Sequence, residues 1–460
     1  MSPQGTLITP PSMGREAQTE PIVGSAARGV TGLAGVQSVS PPRMSLQDRR
    51  EFLVRFVTRQ FTDIKTEGLR TLMRKAVLAF EALAAVPFVL VARLIRPIVL
   101  IRFGGLPTAF LGHLALDMEL LLCRKDAGLH GRRVFDMFCI SQSIANQQLT
   151  RMWKRVVHVS RFARAAERVN RWLPGGGLNR IPFPGAVNDV EALLPQTASH
   201  LSFTPAEQRE GYAALQQLGI PGDGAFVCLS ARDPAYYVGR PRYADHQRRY
   251  RNSEIQTYLP AAEELARRGY AVVRMGAAVQ RALQTGNPRI IDYATAARTD
   301  FLDVFLSAHC RFFVADTGGL VALPMAFRRP VAVANFVRWE LPGSWSPYDL
   351  FIPKTLWRQD TRRLMTVKDI LQSGAGRWCY DAEYAAQGID IIDNTPEEIA
   401  ALVREMDERL KGTWRTTEED EELQQRFLEQ FRRHSTLNPD IQAYRRIGAE
   451  FLRQHQELLA

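Results

Sequence analysis

Cysteine is scarce and scattered in this chain of 460 residues. The five thiols (Cys123, Cys139, Cys228, Cys310 and Cys379) are odd in number and show no C-x-x-C spacing. That pattern excludes a disulfide framework and a thiolate zinc site, and it favours a reducing compartment. Long uncharged apolar runs are also missing. The apolar stretch over residues 76–103 is broken by Glu81, Pro87, Arg93, Arg96 and Arg102, and its uncharged run, residues 82–92, is short of the about 20 residues a spanning helix needs. No G-x-G-x-x-G followed by an acidic ribose-binding residue opens either half, which excludes a dinucleotide-dependent dehydrogenase. No Asp-x-Asp stands at a strand end in the later half to hold a divalent ion. Basic-aromatic strand modules and helix-turn-helix patterns are absent as well, so a nucleic-acid binder is disfavoured despite the charge.

What is present is the composition of a globular protein: 46% apolar, 23% charged, with a formal net charge of +11. A basic chain of this length suggests two domains and an anionic partner. Residues 1–44, rich in Gly, Pro, Ser and Thr and with no basic-then-apolar head, read as a disordered leader and not as a secretory signal. Residues 45–97 read as a helical appendage. Phe52, Phe56, Phe61, Ile64, Leu69 and Leu72 recur at helical spacing with arginines between them, and the apolar stretch follows. Such a segment suits an anionic membrane interface; a helix pair packed on the core is the equal alternative.

From residue 98 the pattern becomes α/β. Ile98-Val-Leu-Ile-Arg-Phe103, Gly104-Gly105 and then apolar positions at helical period from Leu111 to Glu119 form a strand, a glycine turn and a helix, the first unit of a Rossmann-like half over 98–220. Residues 161–197 read as irregular. Thr204, with Pro205 and Glu207, signals a capped helix start. Across 221–410, strands at 225–230, 271–275, 290–292, 312–315 and 331–334 alternate with helices at 255–268, 300–308 and 320–327, which implies a parallel sheet covered on both faces. A helical segment, 411–460, closes the chain, and its acidic run Glu418–Glu422 reads as a solvated face.

Ligands of open parallel sheets bind beyond the carboxyl ends of the strands. There stand Ser230, Arg232 and Asp233 after one strand, Arg274 and Gly276 after the next, and Asp316-Thr-Gly-Gly319 after a third. The last group offers backbone N–H groups to an anion such as a diphosphate, and the two arginines offer forked donors to its oxygens. Each feature alone reads equally well as an ordinary turn or a surface arginine. Trp339, Trp345 and Tyr348 read as a lid packed on its own domain.

The segments Phe226-Val-Cys-Leu-Ser-Ala-Arg-Asp-Pro-Ala-Tyr236, Tyr250-Arg-Asn-Ser-Glu-Ile255, Gly269-Tyr-Ala-Val-Val-Arg-Met-Gly276, Asp303 to Phe313 and Phe351-Ile-Pro-Lys354 together resemble a bacterial family of glycosyltransferases associated with surface polysaccharide genes. Gly112-His-Leu-Ala115 with Glu119, and Asn146 before Met152-Trp-Lys-Arg155, match its amino-terminal half. Ser230-Ala-Arg-Asp233 is similar to the donor-gripping strand end of fucosyltransferases, although Ser230 replaces the usual histidine. Ala315-Asp-Thr-Gly-Gly319 resembles the donor-phosphate loop of heptosyltransferases.

These resemblances imply a GT-B fold, two Rossmann-like domains facing a cleft, and a glycosyltransferase that uses a nucleotide-sugar donor (a GDP-sugar among the candidates) and a glycan or glycolipid acceptor. They assign donor binding to Arg232, Arg274, Asp316, Thr317, Gly318 and Gly319. No metal or cofactor is expected. His113 is the expected general base with Asp233 in reserve, and Asp117 and Glu119 are expected on the acceptor side. The expected location is cytoplasmic, peripheral on the inner membrane face. A catalytically degenerate scaffold of the same fold is the competing reading.

Overall fold

The computed structural model describes residues 69–460 apart from residues 132, 141–142, 184–188, 190–191, 221–224, 239–248, 341–344 and 436–444. The chain divides into two compact units, Met1–Arg74 and Lys75–Ala460, and the sheets belong to the second. The leader and the basic amphipathic pattern of residues 45–68 lie outside the described residues.

A three-stranded parallel sheet comes first, in the order β1 (Leu100–Gly105), β2 (Val134–Cys139), β3 (His158–Val159). Leu100 faces Val134 and Gly105 faces Cys139. Arg102 lies opposite Asp136 in this register, and the two form a buried two-pronged ion pair at 2.5 and 2.8 Å. That pairing is what lets an arginine sit inside an otherwise apolar strand. The helix Leu69–Leu94 runs through Pro87 and lays its small residues Ala82, Ala85, Val89 and Ala92 into a cluster with Phe103, Met137 and Cys139.

Residues 161–172, expected to be irregular, are a helix, Arg161–Trp172. Ser160 caps it by accepting from the Phe162 N–H, and Ala163, Ala165, Ala166 and Val169 pack into the same cluster. Its buried face is built from alanines, so the large apolar residues that mark most amphipathic helices are missing from the pattern.

The second sheet has six strands: β4 (Phe226–Leu229), β5 (Ala271–Arg274), β6 (Ile290–Ile291), β7 (Phe313–Ala315), β8 (Val331–Phe336) and β9 (Leu350–Pro353). All neighbours are parallel and the order is β6-β5-β4-β7-β8-β9. Counted from β4 this is 3-2-1-4-5-6, the doubly wound order, in which the direction of winding reverses between β4 and β7. The strands are apolar on both faces because helices cover both. A small antiparallel sheet, β11 (Arg363–Leu364), β10 (Thr355–Arg358) and β12 (Ile389–Ile392), follows.

The capped helix Pro205–Gln217 has its full capping box, Thr204 with Glu207. It packs through Gly211 on Phe305 of the helix Asp300–His309, where a Cβ would lie 2.1 Å from the ring. The expected helix at 320–327 is shorter, a 3-10 turn Gly319–Val321 leading into Ala322–Ala326, since Pro324 leaves little room for a regular ladder.

The helix Pro396–Lys411 starts at the capping box of Thr395 and Glu398. The acidic run opens the helix Glu418–His434; most of it is exposed, but Asp420 is buried, closes the capping box of Thr417 and pairs with Arg453 at 2.6 Å. Beyond it the chain returns to the open side of β9, where the Phe351 N–H bonds the Arg446 carbonyl and the Gly448 N–H bonds the Phe351 carbonyl.

Candidate functional site

The carboxyl ends of β4, β5 and β7 meet at one cavity of about 130 Å³. Ser230 and Arg232 line it from the β4 end, Gly276 from the β5 end, and Gly318 and Gly319 from the β7 end; Phe110 and Gly112, from the turn after β1, form the opposite wall. The site therefore lies at the switch point of the six-stranded sheet, where such sheets take ligands. The two sides approach closely: a Cβ on Gly112 would stand 3.4 Å from the Gly319 backbone.

Asp316, expected to touch a donor, is buried at the cavity lining and organises the loops there. One carboxylate oxygen accepts from the Arg232 N–H at 2.5 Å, and the other from the Gly318 N–H at 3.0 Å. Burial pushes this carboxyl above its ordinary range, opposed by the Arg232 N–H and the charge of Lys354. The side chain of Arg232 bonds the Asn252 side-chain oxygen, Arg251 donates to the Thr317 carbonyl, and Lys354 Nζ reaches the Asn252 carbonyl at 2.8 Å and Asp393 at 2.7 Å. Three basic groups are thus gathered around the Asp316-to-Gly318 turn, and two of them, Arg251 and Lys354, were not singled out in the sequence. Their presence in the segments that carried the resemblance was the available signal.

Two other expected site residues are held by backbone or by a neighbouring loop. Arg274 is buried and held at 2.9 Å by Asp292, with a further bond to the Arg281 carbonyl; it ties β5 to the loop beyond β6 and is not a wall of the cavity. Asp233 lines the cavity and accepts from the backbone N–H groups of Ala235 and Gln280 at 2.8 and 2.9 Å, which organises the loop there. Thr317 lies outside the cavity wall, while its neighbours Gly318 and Gly319 are in it. Trp339 is a core residue whose indole N–H donates to the Lys354 carbonyl.

Opposite, the turn after Gly112 is a π-helix, His113–Asp117, a widened turn often found at functional sites. Trp153 is fully buried and donates to the Leu114 carbonyl at 2.7 Å, fixing the widened turn. The turn brings His113 Nδ1 to 2.8 Å from Asp117 Oδ2. The carboxylate is buried and the imidazole side chain is 54% exposed. Its hydrogen bond to Asp117 raises the pKa of His113, against the opposing effect of burial. With Nδ1–H directed at Asp117, the neutral ring presents Nε2 as the acceptor. Asp117, expected on the acceptor side, thus holds the histidine in place.

Glu119, also expected on the acceptor side, is fully buried, and one oxygen receives Arg328 at 2.6 Å, His200 Nδ1 at 3.0 Å and the His200 N–H at 3.2 Å. Arg328 itself stands at φ 60°, a left-handed conformation uncommon for arginine, and also donates to the Thr197 and Ala198 carbonyls. Contacts with Cys123 and Glu119 raise His200 to about 10, so this histidine is a cation at neutral pH. Glu119, Cys123 and His200 have the ligand types of a metal site, but two cations already occupy the carboxylate. One further buried group at the cavity was not foreseen: Asp303, paired with Arg298 at 2.7 Å and raised by burial to about 6.

No protein-family description matches the sequence, and no curated protein does. Among solved structures, the chain is similar to the glycosyl transferase family 9 protein from Veillonella parvula DSM 2008 (8% identity, 51% of this chain and 80% of that one, TM-score 0.27). It is similar also to the E. coli ADP-heptose lps heptosyltransferase II (13% identity, 51% and 84%, TM-score 0.30). A third is the dodecameric iron-containing heptosyltransferase TibC in complex with ADP-D-beta-D-heptose (13% identity, 53% and 58%, TM-score 0.26).

Proposed function

We propose that this chain is a glycosyltransferase that moves a sugar from a nucleotide-diphosphate donor to a hydroxyl of a glycan or glycolipid, in surface polysaccharide synthesis and without a bound metal ion. The observation that carries the reading is one cavity with two chemically different walls. A basic, glycine-lined loop cluster stands on one side, and the Phe110-to-Gly112 wall on the other runs directly into the carboxylate-held His113.

The donor diphosphate rests on the Gly319 N–H and on the Arg232 guanidinium, which stabilise the charge that grows on the leaving phosphate. His113 Nε2 accepts the proton of the acceptor hydroxyl while Asp117 stabilises the imidazolium that forms. The acceptor oxygen forms its bond to the anomeric carbon as the bond to the phosphate oxygen breaks, and the electron pair leaves with the diphosphate. A single displacement of this kind inverts the anomeric centre. The 130 Å³ of this partly open cavity is smaller than the about 300–1,000 Å³ of sites for drug-sized ligands. It suits the phosphate–sugar junction, with the nucleoside in the open mouth.

Calorimetric titration with GDP, UDP, ADP and CDP, with and without magnesium, tests the donor site. Magnesium-independent binding of one of them, together with hydrolysis or transfer of its sugar, supports the proposal. Binding of a nucleotide with no turnover of any matching sugar donor across an acceptor panel favours the degenerate scaffold, and no binding at all removes the donor site.

A further inference from the structure

The helix Leu69–Leu94 carries two apolar faces, and only one of them is used within the second unit. Residues 82, 85, 89 and 92 are small and buried. The opposite face repeats at three- and four-residue spacing through Val77, Phe80, Leu83, Leu90, Val91 and Leu94, all exposed, with Phe80 at 73% and Leu94 at 79%. The span Ala76–Leu94 is apolar enough to cross a bilayer by composition, with mean hydropathy 2.1. Yet its alanine face packs on the first sheet. A helix held to a folded domain over residues 82–92 is placed to lie on a surface.

The surroundings of the exposed face suit lipid head groups. Phe88, on the flank of this helix, meets Phe162 edge-on at 5.2 Å, so the neighbouring helix Arg161–Trp172 adjoins it. That helix exposes Arg161, Arg164 and Arg171 together with Trp172, 69% exposed. Arginines and a tryptophan around an apolar stripe are the arrangement of an interfacial anchor. The sequence before the stripe adds Arg49, Arg50, Arg55, Arg59, Arg70, Arg74 and Lys75. Each basic residue near an anionic surface strengthens attachment, and acidic residues are few in both helices: Glu81 in the first and Glu167 in the second.

We propose that the Val77–Leu94 face seats the protein on a bilayer rich in anionic phospholipid, as a monotopic attachment independent of the proposed chemistry. The test is co-sedimentation of the full chain with vesicles of phosphatidylcholine alone and of phosphatidylcholine with phosphatidylglycerol, in 0.1 M-range salt. Two variants are compared: Phe80→Asp with Leu83→Asp and Leu94→Asp, and Arg161→Glu with Arg164→Glu. All these positions are exposed, and circular dichroism with a melting curve checks that each variant is folded.

The expected result is binding to the anionic vesicles at least about tenfold stronger than to the neutral ones. Binding is expected to be lost in the triple variant and weakened in the double. The proposal is overturned if the wild type ignores both vesicles, if the triple variant binds as the wild type does, or if the wild type pairs with a second copy through this face and stays off lipid.

Discussion

Removing Arg328 should loosen the joint between the two walls of the cavity, and the cost can be worked from its surroundings. Glu119 is fully buried and follows the turn that holds His113; Arg328 ends the segment that begins at Gly318. Breaking a buried pair by deleting one partner costs about 3–5 kcal/mol, because a charge is left without compensation. Here His200 remains beside Glu119 as a second cation. The expectation for Arg328→Met is therefore the low end, ~3 kcal/mol at pH 7, read by urea denaturation of the variant against the wild type.

The pH dependence follows from His200. Its folded pKa is raised to about 10 from an ordinary 6.5, so its contribution is complete below pH 6.5 and falls as pH rises towards 10. The penalty of Arg328→Met should accordingly grow between pH 7 and pH 10. Replacing Glu119 by Gln in the same background should recover most of the loss, since the buried charge is gone. A single variant within ~0.5 kcal/mol of wild type, or a double variant no more stable than the single, would refute the reasoning.

At the proposed base, His113→Asn should lower turnover about 10²–10⁴-fold while leaving nucleotide affinity unchanged in calorimetry. A general base acts only when neutral, so the raised pKa of His113 places the acidic fall of the rate profile above that of an ordinary histidine. Asp117→Asn should move that fall to lower pH and reduce the plateau, which a pH–rate profile measures. Arg232→Ala should weaken binding of the diphosphate by about 1.5–3 kcal/mol, the worth of a hydrogen bond to a charged group, by calorimetry. Gly211→Ala would drive a methyl into Phe305, and the expected loss is about 1–3 kcal/mol of stability in denaturant, with the helix Pro205–Gln217 displaced.

The alternation of apolar strands and helices made the six-stranded sheet readable, and its element ends were readable where a cap announces them, as at Thr204 and Thr395. Strands of two residues, such as β3, and the strands β9–β12 carry too little periodicity to be read. The helix Arg161–Trp172 was hidden because its core face is alanine and a proline–glycine run follows it. The place of Gly318 and Gly319 at the cavity was legible because glycines directly after a strand stand out without knowledge of any partner. Arg274 and Asp233 have partners that were not legible, for the opposite reason. Their roles depend on Asp292, Ala235 and Gln280, and no local pattern reveals which side chain a distant loop will deliver. The pairing of His113 with Asp117 spans one turn of helix. It was legible as spacing, but the widened turn that turns proximity into a hydrogen bond was not.

The return of the chain to β9 after residue 444 also bears on solubility. An outer strand of a parallel sheet presents a row of unpaired N–H and C=O groups that another copy can extend. The backbone of residues 446–448 occupies part of that row at Phe351. Shortening the protein before this point would therefore remove more than a terminal helix. It would open a sticky edge, and the first symptom would be aggregation on expression, before any change at the cavity on the far side of β8.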